Sequence, residues 1–379
     1  RGGHILTALT SEKVFDTRQT AADFFGAETE NVVFTLNCTH ALNLAIKGIM
    51  QNGGHIIISG IEHNSVSRPV YAMASKKHIS FSIAAVSDDD DETTDNFRRL
   101  IRPDTKAIVC LIAGNVTGQI LPYKKIGKLC REKNLVLIED GAHVIGTTYQ
   151  GRKNGSISDM TMFSFHPVKT VTAGEGGAVL TNSEEYYRKL LLYRAHGITR
   201  DERLLEHESD GPWYYEQLML GYNYRMTDMQ AALLISQLDK LEMFSKRRKE
   251  IVARYNEAFS RLPGIVVQKE IPESDTTRHL YILRIKPEEF SIDRRRFFEA
   301  LDAENVSCNV HYIPTYYFPY YEKLGYRRGI CPNAEKLYEE IITLPLYYAM
   351  TDEDVESVIR AVEKLAGYYH LRRGQEELR

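Results

Sequence analysis

Paired cysteines, long apolar runs and a strong net charge are all missing from this sequence. Its five cysteines show no C-x-x-C spacing, so neither a disulfide framework nor a structural zinc site is indicated, and we expect no metal site. No stretch approaches the ~20 apolar residues that a membrane-spanning helix needs. The first residues show no charged and apolar secretory signal. We therefore expect a cytoplasmic protein without a membrane span.

The balance of charge excludes another class of partner. Lysine and arginine total 48 against 51 aspartate and glutamate residues, a net charge of -3. The long-range positive field that draws proteins to nucleic acid is absent, so no nucleic acid partner is expected. A chain of 379 residues that is 43% hydrophobic is long enough for two domains with a sizeable core. These features indicate a soluble metabolic enzyme.

The order of apolar patterns predicts the architecture. Strand-like apolar runs alternate with helical ones through the first 245 residues, at 32–35, 55–59, 107–112 and 135–138, with a helix over 39–50. This alternation predicts an α/β fold, a three-layer α/β/α large domain with a mostly parallel sheet, over residues 1–245.

A second, smaller domain is expected after it. Apolar residues recur at helical spacing from about 227 to 260, which predicts one long helix that joins the two domains. Residues 246–379 then show a strand pattern near 279–285 and helical patterns near 293–304 and 352–366. We expect a C-terminal α+β domain there.

An acid and a lysine between Ile138 and Gly177 carry the strongest chemical signal. The apolar run before Asp140 predicts a buried strand that delivers this acid to the carboxyl edge of a parallel sheet, where open α/β sheets bind ligands. A carboxylate there can keep the proton on a pyridine nitrogen, which a pyridoxal cofactor needs to withdraw electrons. Lys169 would supply the amine that binds the cofactor aldehyde and moves the proton at the substrate carbon.

Each of these residues has an ordinary structural alternative. Asp140 alone could cap a helix, and Lys169 alone could lie in solvent. The combination favours the cofactor site, because Ser164 lies five residues before the lysine and Gly174 lies five residues after it.

Phosphate and ring contacts can be sought in the same way. Residues 37–40 lie between a predicted strand and a predicted helix, so the Thr39 hydroxyl and the backbone at His40 would form a phosphate site at a helix N-terminus. Thr39 could equally be a simple N-cap. Ser164 adds a second hydroxyl. His63 could stack on the cofactor ring or serve as a structural residue at a strand end.

From about residue 135 to 379 the sequence resembles the DegT-type sugar aminotransferases, which are fold-type I pyridoxal-phosphate enzymes. The segments that carry this resemblance are 139–143, 163–169, 174–177, 221–228 and 310–314. Within the family the sequence is most similar to the branch that aminates UDP-4-keto-hexoses in pseudaminic acid synthesis. That similarity lies in residues 194–198, 212–216 and 316–326.

Residues 1 to about 118 resemble a different group, the class V aminotransferases and cysteine desulfurases. The matching segments are 1–4, 31–39, 61–65 and 114–118. The chain therefore resembles a hybrid, with a crossover between about Asn115 and Asp140. Class V enzymes carry an active-site strand before the point where this chain begins, so part of the substrate side is expected to be missing.

The resemblance implies a role for each candidate residue. Lys169 would be the Schiff-base lysine, Asp140 would contact the pyridine nitrogen, and His143 would lie near the ring hydroxyl. The phosphate would be held by Ser164, Thr39 and His40. Asn223 would reach the phosphate of the neighbouring subunit, which implies a homodimer.

Further residues are implied on the ring and substrate side. His63 would take the ring-stacking position, as in class V enzymes. Asn115 would contact the ring hydroxyl or the substrate carboxylate in the class V pattern. Arg225, His311 and Tyr312 would lie near the sugar nucleotide, with a surface ion pair for Arg225 and packing for Tyr312 as equal alternatives.

The sequence leads to one main functional hypothesis and three alternatives. The main one is a pyridoxal-phosphate-dependent aminotransferase that moves an amino group from an amino acid, L-glutamate in the family, to a nucleotide-linked keto sugar. The second is a class V cysteine desulfurase or lyase, for which Cys308 is the candidate nucleophile, although its surroundings match the aminotransferases. The third is a non-catalytic regulatory protein that binds the cofactor or the sugar nucleotide. The last is a hybrid that binds cofactor without turnover.

Overall fold

A computed structural model describes residues 4–111, 113 and 118–371 of the chain. The chain divides into two compact units, Arg1–Leu241 and Glu242–Arg379. The boundary predicted from the sequence, at residue 245, lies a few residues beyond this division. Each unit has its own hydrophobic core and is described separately below.

The first unit alternates helices and strands. Its helices are α1 (Ile5–Phe25), α2 (Cys38–Ile49), α3 (Asn64–Ser75), α4 (Asp90–Leu100), α5 (Tyr123–Lys133), α6 (Glu184–Arg194) and α7 (Asp228–Leu238). Its longer strands are β1 (Val32–Thr35), β2 (His55–Ser59), β3 (Ser80–Ala84), β4 (Thr105–Leu111), β5 (Val136–Asp140), β8 (Met160–Ser164) and β9 (Gly177–Leu180). Short two-residue strands are β6 (Thr148–Tyr149), β7 (Arg152–Lys153), β10 (Ile198–Thr199) and β11 (Glu216–Gln217).

The seven longer strands form one mixed sheet. Their order is β1-β9-β8-β5-β4-β2-β3. Strands β3, β2, β4, β5 and β8 pair in parallel, while β9 runs antiparallel to both of its neighbours, β8 and β1. The carboxyl ends of the parallel strands therefore meet at one edge of the sheet, as the alternating sequence pattern predicts.

Helices cover both faces of this sheet. Alternate residues of β2 enter different cores, because side chains along a strand point to opposite faces. Ile56 and Ile58 pack with residues of α2, α3 and α6. Ile57 packs on the other face with residues of α4 and α5. Helices α1 and α7 cover β1, β8 and β9 on that second face. The expected three-layer α/β/α arrangement is confirmed.

The sequence predicted the strand positions well and one loop wrongly. The runs at 32–35 and 55–59 form β1 and β2, while β5 extends two residues beyond the predicted run and includes Glu139 and Asp140. A run of acids such as residues 88–92 is typical of a solvated loop, and the sequence alone predicts a loop there. Instead, the Asp89 side chain accepts a hydrogen bond from the Glu92 amide and caps α4, whose first turn holds three acids. Acids are favoured there because a helix N-terminus carries a partial positive charge.

The single long helix expected over about 227–260 is present as two helices, α7 and α8 (Leu241–Phe259). The Asp239 amide still donates to the carbonyl four residues back, at 3.1 Å, but the Lys240 amide donates to Gln237, three residues back, at 3.2 Å. This tighter bond ends the regular α-helical ladder at that point. A periodic apolar pattern does not report such a change.

The second unit is a small α+β fold. It contains α8, α9 (Arg294–Ala303), α10 (Pro319–Glu322), α11 (Pro332–Glu340) and α12 (Asp352–Tyr369). Its strands are β12 (Ile265–Val266), β13 (Ser274–Asp275), β14 (Tyr281–Ile285) and β15 (Ile341–Leu344). Strand β14 pairs antiparallel with β12 and β15, and one core joins this sheet to α8, α9 and α12.

No helix in the described parts of either unit combines the length and the apolar character needed to cross a membrane.

Gly177 lies where three elements of the first unit meet. It pairs with Thr35 of β1 on one side and with Ser164 of β8 on the other. A Cβ atom at this position would lie 2.5 Å from the carbonyl carbon of Asn37 and 2.6 Å from the amide nitrogen of Cys38. The absence of a side chain therefore allows the start of α2 to approach the sheet closely.

We predict that Gly177→Ala lowers the free energy of unfolding by about 1–3 kcal/mol, because the added methyl group meets backbone atoms that cannot rotate away. Urea unfolding followed by circular dichroism measures this change. Gly367→Ala in α12 is the matched control, since a Cβ there meets no atom within 4 Å and alanine favours helices. Equal stability changes for the two variants would contradict the prediction.

Candidate active site

Asp140 is the last residue of β5 and lies at the carboxyl edge of the sheet. Strand β5 is flanked in parallel by β4 and β8, so the acid is surrounded by buried backbone. Its side chain is almost fully buried, at 3% exposure. The amide of Ala142 donates a hydrogen bond to Oδ1 at 3.0 Å, and the Cys38 thiol lies 4.0 Å from the same oxygen.

The environment of Asp140 leaves room for one more partner. Burial raises the pKa of this carboxyl, while the Ala142 amide and the positive charges of His63 and Lys169 act in the opposite direction. A buried carboxylate is costly unless a cation or a strong donor approaches it. A protonated pyridine nitrogen meets that requirement.

Lys169 lies on the loop that joins β8 to β9. Backbone hydrogen bonds close this loop at its base, from Phe165 to Gly176 at 2.9 Å and from Ala173 to Phe165 at 2.9 Å. Lys169 itself is half-buried. Burial lowers the pKa of its ammonium group, and the nearby Asp140 opposes that shift. The structure thus brings the predicted acid and the predicted lysine into one electrostatic neighbourhood.

The start of α2 lies where the sequence predicts an anion site, and its cap differs from the one considered there. Asn37, rather than Thr39, is the N-cap, and its side chain accepts a hydrogen bond from the His40 amide at 2.8 Å. Thr39 is the second helical residue, and its side chain is exposed. Asparagine is among the best N-cap residues, so this signal was present in the sequence. The Thr39 hydroxyl is therefore available to a ligand.

An aromatic stack lies beside the start of α2. The His40 imidazole stacks on Tyr224 with ring centroids 3.7 Å apart, and Tyr224 stacks on Tyr222 at 4.7 Å. Between these tyrosines, Asn223 is exposed, and Arg225 is exposed as well. No local sequence pattern indicates this stack, because His40 and Tyr224 are far apart along the chain.

The other predicted residues of the first unit lie at the same sheet edge. Ser164 ends β8 and is buried. His63 follows β2 and caps α3, with its Nδ1 accepting the Ser65 amide at 3.2 Å. Partial burial lowers the pKa of His63 against the opposing charge of Asp140. His143 is half-buried in the turn that follows β5.

Three predicted substrate residues fall outside this group. His311 and Tyr312 belong to the second unit, where His311 Nδ1 lies 2.8 Å from the Thr343 hydroxyl. Tyr312 is 52% exposed. Asn115 lies outside the described residues.

Two groups near Asp140 were missed by the sequence reasoning. One is the buried Cys38, and the other is the half-buried Glu62. The Ser59 hydroxyl and the Leu111 amide, at 3.0 Å, both donate to Glu62 Oε1. No described residue is bonded to the buried Oε2. Burial raises the pKa of Glu62 to about 8, and the charge of Asp140 adds to this effect. Neither residue carries a local sequence signal for its long-range contact, because Cys38 is 102 residues from Asp140 and Glu62 is 49 residues from Leu111.

Comparison with known proteins identifies the family of this chain. The model of the DegT/DnrJ/EryC1/StrS aminotransferase family matches residues 8–363. The spore coat polysaccharide biosynthesis protein SpsC of Bacillus subtilis is 35% identical over 93% of this chain and 89% of its own length. A UDP-4-amino-4,6-dideoxy-N-acetyl-beta-L-altrosamine transaminase of Campylobacter jejuni is 36% identical over 64% of this chain and 61% of its own. The sugar aminotransferase Spr1654 of Streptococcus pneumoniae, in its PLP form, superimposes with a TM-score of 0.74 at 26% identity, over 94% of this chain and 91% of that one.

The fold and the site define a pyridoxal-phosphate-dependent aminotransferase of fold type I. The chain belongs to the DegT/DnrJ/EryC1/StrS aminotransferase family. The matched range includes most of the N-terminal third, and the class V resemblance of that third is not confirmed by it.

The residues present fit pyridoxal phosphate. The buried Asp140 carboxylate needs a cationic partner, and the start of α2 offers amide groups and a free hydroxyl to a phosphate. Lys169 supplies an amine close enough to Asp140 for each charge to shift the pKa of the other. These groups would hold the ring nitrogen, the phosphate and the aldehyde of the cofactor.

We predict that Glu62→Gln gains stability relative to the wild type as the pH rises from 5 to 8. The folded protein keeps a proton on Glu62 up to about pH 8, whereas an unfolded chain releases it near the ordinary value of 4.5. Wild-type stability therefore falls across this window, and glutamine does not titrate. Urea unfolding at both pH values should show a relative gain on the order of 3 kcal/mol for the variant.

Glu139 provides a second test of the same argument. It is buried on β5, accepts a hydrogen bond from Thr161 at 3.1 Å, and burial raises its pKa to about 7. Glu139→Gln should also gain stability relative to the wild type as the pH rises, and this gain should be complete near pH 7 instead of pH 8. Parallel stability curves for wild type and both variants would contradict the assignment.

Proposed function

We propose that this aminotransferase moves an amino group from L-glutamate to the keto carbon of a nucleotide-linked sugar. The relatives support the acceptor class, since one is named as a transaminase of a UDP-linked amino sugar and another as a polysaccharide biosynthesis protein. The observation that carries the proposal is the pairing of a buried acid with a half-buried lysine at one sheet edge, Asp140 and Lys169. An amino acid donor follows from the family.

Bound pyridoxal phosphate supplies the electron-withdrawing ring and the carbonyl group that amino-group transfer requires. Lys169 would hold the cofactor through this carbonyl group until the amino acid takes its place. Its lowered pKa increases the fraction of neutral amine, so that it can accept the proton from the donor carbon and return it elsewhere. Lys169 thus has two roles, to hold the cofactor and to move the proton. Both require a fixed position, which the backbone hydrogen bonds at the base of its loop provide.

Asp140 keeps the proton on the ring nitrogen. The charge of a carboxylate in a buried site stabilises that proton more strongly than it would in water. His63 would stack on the ring face, and His143 would donate to the ring hydroxyl. These two roles are proposals that rest on the positions of both residues near Asp140.

The phosphate is held at the start of α2. The Thr39 hydroxyl, the backbone at His40 and the Ser164 hydroxyl are its ligands within one subunit. Asn223 is exposed beside the His40 stack, and in a homodimer it reaches the phosphate of the neighbouring subunit. We also assign Asn115, Arg225, His311 and Tyr312 to the acceptor side.

Cys308 argues against the desulfurase alternative. A desulfurase nucleophile must ionise easily, but burial raises the pKa of the half-buried Cys308 thiol to about 12. The non-catalytic alternative is disfavoured because both Asp140 and Lys169 are retained. The geometry therefore favours the transaminase.

The direct test is the absorbance spectrum of the protein loaded with pyridoxal phosphate. We expect L-glutamate to bleach the yellow absorbance with formation of 2-oxoglutarate, and L-cysteine to release no sulfide. Lys169→Ala should lose this response by at least a hundredfold in rate, since it removes the proton-transferring amine. Sulfide release from cysteine, with no response to glutamate, would overturn the proposal in favour of the desulfurase.

The substitution Asp140→Asn distinguishes a role of this residue in the reaction from a role in stabilising the fold. The amide cannot keep the ring proton, so the rate of bleaching by glutamate should fall by roughly 10²–10⁴-fold. In the cofactor-free protein the same change should raise the melting temperature, because it removes a buried charge and leaves an acceptor for the Ala142 amide. Loss of both rate and stability would show a structural role instead.

A further inference from the structure

Helices α2 and α3 carry an unusual charge distribution. Neither helix contains an acidic residue, and residues 36–80 hold the four cations Lys47, Arg68, Lys76 and Lys77 against one acid, Glu62. Burial raises the pKa of that acid to about 8, so it offsets little of the charge at neutral pH. A chain with net charge -3 thus concentrates positive charge on one pair of neighbouring helices.

A cleft of about 570 Å³ lies between these two helices. One wall is a stripe of α2 at helical spacing, formed by Thr39, Asn43 and Lys47. The other wall includes Arg68 of α3 and Lys76, which directly follows this helix. The volume lies within the range of small-molecule sites in proteins. No carboxylate is among the described residues that line this cleft.

The cations of the cleft are not neutralised by the protein. Within the described parts of the chain, Lys47, Arg68 and Lys76 have no carboxylate within ion-pair distance and donate no hydrogen bond. Their charge reaches the active site, since Lys47 adds to the effect of burial in lowering the pKa of His40. Three unpaired cations around one cavity create a favourable site for a multivalent anion.

The cleft is continuous with the candidate active site. Thr39 and His63 line its near end, and both belong to the proposed cofactor site. From Thr39 to Lys47 the helix rises by about 12 Å, at 1.5 Å per residue. A ligand that reacts at Lys169 and extends into this cleft must therefore be elongated and must carry negative charge beyond the cofactor phosphate.

We propose that the α2–α3 cleft binds the diphosphate of the nucleotide-linked sugar. This inference rests on the proposed function, which supplies a substrate with its reacting sugar at one end and a dianionic diphosphate in the middle. The Arg68 guanidinium binds phosphate oxygens through its paired N–H donors, and Lys47 and Lys76 contribute point charges. The cleft thereby selects the sugar-nucleotide class of acceptor over free keto sugars.

Isothermal titration of UDP, pyrophosphate and uridine into the cofactor-loaded protein tests the proposal. We expect UDP and pyrophosphate to bind and uridine to bind at least tenfold more weakly. Arg68→Gln and Lys47→Gln should each raise the Kd for UDP at least tenfold, because a charge-assisted phosphate contact is lost. Lys133→Gln, an exposed lysine of α5 outside the cleft, is the matched control and should leave the Kd unchanged.

Two results would overturn the assignment. Uridine that binds as tightly as UDP would show that the diphosphate is not recognised. An unchanged Kd for UDP in both cleft variants would place the nucleotide elsewhere, as it would if a partner subunit covered the cleft. The titrations contain no amino donor, so a wild-type protein that fails to respond to glutamate would refute the proposed function and leave this binding result intact.

Discussion

The burial of one carboxylate at the end of β5 governs the organisation of the first unit. Asp140 lies in a strand with parallel neighbours on both sides, and it receives one backbone hydrogen bond and a distant thiol. An acid in such a place destabilises the fold unless a cation compensates it. The buried carboxylate lowers the stability of the cofactor-free protein. The same carboxylate would stabilise the protonated ring nitrogen of the cofactor.

The remaining site groups arrive from separate segments because parallel strands end at a common edge. The loop after β8 brings Lys169, the start of α2 brings the helix amides, and the segment after β2 brings His63 and Glu62. These three segments are far apart along the sequence. The sheet is therefore the rigid element that fixes the distance between acid, amine and phosphate site, while the helices supply charge.

Local signals explain what the sequence could predict. Asp140 and Lys169 were identifiable because one ends an apolar run and the other has a fixed distance from it, and β1 and β2 were found because continuous apolar runs define buried strands. The Cys38 contact with Asp140 spans 102 residues, and the stack of His40 on Tyr224 spans still more. Such contacts depend on strand order, which periodicity does not encode. The N-cap at Asn37 was readable, but Thr39 offered a competing cap within two residues.

The position of β1 in the sheet has a consequence for biosynthesis. Within the described sheet its one neighbour is β9, so residues 32–35 cannot pair with another strand until residue 180 has been synthesised. At the usual rates of translation, about 5–20 residues per second, the intervening 145 residues take roughly 7–30 s. During that interval the first strand exposes apolar side chains and unpaired backbone N–H and C=O groups. The nascent chain should therefore depend on chaperones until β9 emerges from the ribosome.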